Sequence, residues 1–114
     1  MISIWHNPRC GTSRRALALL EERGVTPVIR RYLEEPPTEA ELRATLAALN
    51  LTAGELLRRK EPLVAELGLT EAGEDALIAA MVDHPILIER PVIFSEARAV
   101  LARPAERALA ILAP

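Results

Sequence analysis

The stretch Trp5-His6-Asn7-Pro8-Arg9-Cys10-Gly11-Thr12-Ser13-Arg14 decides how this chain folds. Upstream of it, the apolar run Ile2 to Trp5 reads as a first strand, and Asn7-Pro8 reads as a turn. Downstream, Ala16, Leu17, Leu19 and Leu20 recur at helical spacing. The spacing therefore predicts that Cys10 sits where a strand hands over to a helix. Unpaired backbone N–H groups and the positive end of the helix dipole gather there and favour an anion. Arg9, Arg14 and Arg15 are close in sequence, and His6 lies four residues upstream. Such surroundings lower a thiol pKa from its usual value of about 8.5, so Cys10 is expected to be partly thiolate at neutral pH.

A lone cysteine is most often a small buried hydrophobe with no chemistry. The polar, basic flanks and the exposing turn weigh against that reading here, because reactive cysteines occupy electropositive, accessible sites. Two neighbouring chemistries fail on counting. Cysteine-based phosphatases need an arginine six residues beyond the nucleophile, where this chain has Ala16. A two-cysteine redox motif needs a second thiol three residues on, where this chain has Ser13. Disulfide chemistry must then borrow a thiol from another molecule.

Outward from this corner, the first helix is expected over about Gly11 to Arg23, closed by Gly24. Val28 to Leu33 reads as a second strand after Thr26-Pro27. Strand, helix, strand is the unit of a parallel crossover. Pro36-Pro37 breaks the chain, and an all-helical insertion is expected over about 38–83. Thr38 with Glu41 and Thr52 with Glu55 are capping-box pairs that open helices, Pro62 to Leu67 forms a short helical segment, and Thr70 opens a further helix. That helix stops by His84-Pro85. Val92 to Phe94 and Ala99 to Leu101 then read as strands, and Pro104 to Leu112 as an amphipathic helix. The expected fold class is α/β: a thioredoxin-like mixed sheet, strand-helix-strand then strand-strand-helix, with the helical insertion, as one domain over residues 1–114. That fold places a cis-proline loop opposite the nucleophile, so the bond before Pro91 is expected to be cis.

Composition narrows the partners. Half of the 114 residues are hydrophobic but only 3% are aromatic, so Leu, Ala, Ile and Val must fill the core. A net charge of −2 gives no reason to expect nucleic acid as an electrostatic partner. One cysteine excludes an internal disulfide and suits a reducing compartment. Neither a secretory leader nor an apolar run of spanning length is evident, which points to a soluble cytoplasmic domain away from membranes.

Three arginines have no obvious structural duty: Arg58 in the helical stretch, Arg90 before Pro91 and Arg103 before Pro104. Any one alone reads as ordinary surface, as Arg59 and Lys60 do. Their planar forks of donors suit a tetrahedral oxyanion, and in a thioredoxin-like fold Arg90 would face Cys10.

The runs HNPRCGTSR, ELLRRKEP with LGLTE, HPILIERPV and ARPAERALAIL, in order from Ser3 to Leu112, resemble the glutaredoxin-dependent arsenate reductase family. The resemblance implies that Cys10 attacks arsenate, that His6 helps lower its pKa, and that Arg58, Arg90 and Arg103 bind the oxyanion. It also implies glutathione as co-substrate and glutaredoxin as partner, with no bound cofactor and no metal. Two other readings stay open at this level. One is a non-catalytic Spx-like transcriptional regulator, whose signature usually pairs cysteines three apart. The other is a glutathione-linked thiol protein acting on a different substrate.

Overall fold

The computed structural model describes all of residues 1–114. The chain divides into two compact units, residues 1–35 with 90–114, and residues 36–89.

In the first unit, β1 (Ser3–Trp5), α1 (Gly11–Glu22) and β2 (Val28–Arg30) form the crossover, and β3 (Val92–Phe94) and β4 (Ala99–Leu101) complete a four-stranded sheet. The strand order is β2-β1-β3-β4, with β1 parallel to β2 and antiparallel to β3, and β3 antiparallel to β4. This is the thioredoxin-like mixed sheet. Register sets Ile4 opposite Ile93, and both are fully buried. They meet Ala16, Leu19 and Leu20 of α1 together with Ala102, Ala105, Ala108 and Ile111 in one core cluster. Removing side chains of this size from water stabilises by about 1.5–3 kcal/mol for each large one. Trp5 packs on Phe94 with ring centroids 5.1 Å apart, on the strands that lead to the site.

The second strand is shorter than its apolar-basic alternation suggests. It ends at Arg30 because the Arg31 carbonyl accepts from the N–H groups of Glu34 and Glu35, which curls residues 31–35 into a turn. At the other end of the unit, the expected amphipathic helix is a 3-10 helix, Ala105–Leu112. Its buried residues are Ala105, Ala108 and Ile111. A spacing of three lines up on one face only when the chain winds three residues per turn. The Arg90–Pro91 peptide is cis, as the thioredoxin-like reading expects, and Arg103–Pro104 is cis as well.

The second unit is helical. It holds α2 (Glu39–Leu49), α3 (Ala53–Leu56), α4 (Pro62–Glu66) and α5 (Glu74–Asp83), then a 3-10 turn over Pro85–Leu87. Thr38 and Thr52 each close a full capping box, with Glu41 and Glu55 returning the bond. Asn50 ends α2 in the left-handed region at φ 56°. The last helix starts later than expected. Gly73, not Thr70, is its N-cap, and residues 70–72 form a turn in which Ala72 N–H donates to the Leu69 carbonyl. No helix of the chain is long and apolar enough to cross a membrane.

Candidate active site

Cys10 is the N-cap residue of α1, with extended backbone at φ −94° and ψ 121°. Its N–H donates to the Asn7 carbonyl at 3.0 Å, and its carbonyl accepts from Arg14 N–H at 3.0 Å. The Asn7 side chain closes the turn by accepting from Arg9 N–H at 2.9 Å. Arg14 reaches back to the Pro8 carbonyl at 2.9 Å. Every backbone step from Asn7 to Cys10 is thereby held, and the half-buried sulfur is carried on a fixed loop.

The sulfur's surroundings favour the anion. Burial alone pushes the Cys10 thiol up, but four favourable influences together outweigh it and hold its pKa below the ordinary thiol value. The backbone N–H of Ser13 is the strongest of these, followed by the charge of Arg90, the hydrogen bond from Arg103 and the N–H of Thr12. Arg103 Nη1 stands 3.7 Å from Cys10 Sγ. The same nitrogen donates to the Arg90 carbonyl at 3.0 Å. One guanidinium thus ties the carbonyl that precedes the cis-proline to the nucleophile.

His6 enters differently from the sequence reading. Burial, followed by the charges of Arg31 and Arg14, pushes its pKa below 6.5 against an opposing pull from Glu21. The ring is neutral near pH 7, so an imidazolium is not what favours the thiolate. His6 Nδ1 lies 2.7 Å from Ser13 Oγ, and that oxygen accepts from Asn7 N–H at 3.0 Å. A neutral ring protonated on Nε2 can accept the Ser13 hydroxyl hydrogen at Nδ1. Ser13 is fully buried. Its hydroxyl organises the loop while its N–H meets the sulfur, and sequence reasoning registered it only as a missing second cysteine. The available signal was its place three residues beyond the N-cap, where a helix has an orphan N–H to offer.

The structure therefore brings Cys10, Arg90 and Arg103 together, and links His6 to them through Ser13. Arg58 belongs to the helical unit. There its N–H donates to the Leu87 carbonyl at 2.7 Å, next to the bridge between Leu57 and Ile88. Its guanidinium lies 3.9 Å from Glu61 in a loose ion pair. No group of three or more His, Cys, Asp or Glu residues is arranged to hold a metal ion.

Comparison with known proteins places this geometry. The ArsC family model matches residues 5–111. An arsenate reductase from Rhizobium meliloti is 43% identical over 97% of this chain and 81% of its own. One from Neisseria meningitidis is also 43% identical, over 97% of both chains. The solved structure of an arsenate reductase from Vibrio cholerae superposes with a TM-score of 0.92 at 42% identity, covering 96% of each chain. With a family match over nearly its whole length and relatives this similar end to end, the chain belongs to the ArsC family.

Proposed function

We infer that this protein is an arsenate reductase, an oxidoreductase that uses the Cys10 thiolate as nucleophile and glutathione with glutaredoxin as its source of electrons. The observation that carries the reading is the sulfur at the start of α1, met by the N–H groups of Ser13 and Thr12 and flanked by Arg90 and Arg103. Donors arranged in this way favour both an attacking thiolate and the oxyanion it attacks.

The thiolate attacks pentavalent arsenic, an oxygen leaves as water, and a sulfur–arsenic bond forms. Glutathione then attacks the adduct. A bond forms between the two sulfurs, and the electron pair of the sulfur–arsenic bond passes to arsenic, which departs as trivalent arsenite. Glutaredoxin takes the glutathione moiety by thiol–disulfide exchange and restores the Cys10 thiolate. Arg90 and Arg103 neutralise the charge on the arsenic-bound oxygens. His6 is a positioning residue that holds Ser13. The single cysteine and the need for a thiol reductant suit a reducing compartment such as the cytoplasm.

The test is NADPH consumption in a coupled mixture of arsenate, glutathione, glutaredoxin and glutathione reductase. Consumption should require all of these together with the enzyme, and Cys10→Ser should abolish it. No consumption by a protein whose Cys10 still reacts with an alkylating agent would overturn the reading.

A further inference from the structure

Arg9 precedes the nucleophile and is exposed, and its guanidinium makes no hydrogen bond or ion pair. The basic side chains next to it in sequence, and Arg103, are engaged. Arg14 is on the Pro8 carbonyl, Arg15 is with Glu22 at 3.6 Å, and Arg103 is on the Arg90 carbonyl and the sulfur. Glu96, in the same unit, is paired with the N-terminal ammonium group. The backbone under Arg9 is fixed by the Asn7 bonds on both sides of it. Its backbone, one residue before Cys10, is thus set, while its exposed charge is open to something that arrives from solvent.

We propose that Arg9 receives a carboxylate of the incoming thiol and so selects an anionic thiol of the glutathione class as the co-reactant of Cys10. This rests on the reductase reading for its biological meaning, but its geometry concerns only the access of charged sulfur compounds to Cys10. A guanidinium is suited to the task because its planar fork pairs with a carboxylate through two parallel hydrogen bonds.

The experiment needs no arsenate. The rate at which Cys10 opens glutathione disulfide (anionic), bis(hydroxyethyl) disulfide (neutral) and cystamine (cationic) is followed by mass spectrometry of the quenched enzyme. In each case the thiolate forms a mixed disulfide and one thiolate leaves. Dividing by the neutral rate removes any change in the thiolate fraction. In Arg9→Ala the anionic-to-neutral ratio should fall about two- to five-fold, the size expected for one exposed charge pair, and the cationic-to-neutral ratio should rise. Arg9→Lys should keep most of the selectivity, and Arg15→Ala all of it. An unchanged ratio in Arg9→Ala, or an equal fall in Arg15→Ala, would overturn the proposal. In the coupled assay, Arg9→Ala should raise the KM for glutathione and leave that for arsenate unaltered. Absence of arsenate turnover with the charge selectivity intact would count against the reductase reading alone.

Discussion

The unit that carries Cys10 has ten arginines against six carboxylates, whereas residues 36–89 have four basic side chains against ten acidic ones. The two also spend their polar groups differently. In the helical unit, side chains close on helix ends and on one another. Thr38 and Thr52 cap helices, Glu74 accepts from Ala53 N–H at 2.9 Å, and Arg43 pairs with both Glu39 and Asp75. At the β1–α1 corner the donors converge on one sulfur, and Arg9 remains open to solvent. Polar side chains that close helix ends within their own unit build stability, and charge left available builds a site. The contrast makes substitutions in the two units separable: one set should move chemistry, the other only folding.

The largest effect is expected at Arg103. Losing a charge-assisted contact to an anion costs roughly 1.5–3 kcal/mol, about 10- to 150-fold in rate. Arg103→Ala should therefore lose arsenate turnover by that factor in the coupled assay while retaining its circular dichroism. Ser13→Ala comes next. It strips partners from Asn7 N–H and His6 Nδ1, which are buried. Denaturant titration should show a loss of about 1–3 kcal/mol, the cost of leaving such groups unsatisfied. A slower reaction of Cys10 with iodoacetamide should accompany it.

Thr38→Ala sharpens the contrast from the other side. Removing that cap should lower stability by about 0.5–2 kcal/mol and leave the reactivity of Cys10 as it was. A loss of Cys10 reactivity in this variant would break the separation between the two units. A smaller effect belongs to His6, whose folded pKa lies below 6.5. The unfolded chain then binds more protons as pH falls through that value, so acid removes stability. Denaturation midpoints at about pH 7.5 and about pH 5.5 should differ more in the wild type than in His6→Asn. Smallest of all is Arg43→Ala, whose ion pairs are exposed to solvent. It should be silent in both stability and activity.

Much of this fold is local and was legible for that reason. The strand-turn-helix at Cys10, both capping boxes and the left-handed stop at Gly24 follow from residues within a few positions of each other. What escaped sequence reading depends on bonds that alternation cannot reveal. The second strand stops at Arg30 because a carbonyl one residue later captures two amides. The terminal segment winds as a 3-10 helix because its core contacts recur every third residue. A net charge of −2 concealed the opposite charges of the two units, since they nearly cancel. At the site, Cys10, Arg90 and Arg103 were legible as types suited to an oxyanion. Ser13 was not, because its contribution is a backbone N–H and a buried hydroxyl bridge. Nor was the neutral state of His6 legible, since it arises from burial and from Arg31, distant in sequence.

The central claim is that backbone donors and two arginines, with no imidazolium, hold Cys10 as a thiolate. Its direct test is the ultraviolet absorbance of the Cys10 thiolate followed against pH in the wild type and in Arg103→Ala. The wild-type midpoint should lie below the value of about 8.5 for a free thiol, and it should rise when the guanidinium is removed. A wild-type midpoint at or above that value, or one that Arg103→Ala leaves in place, would contradict the account.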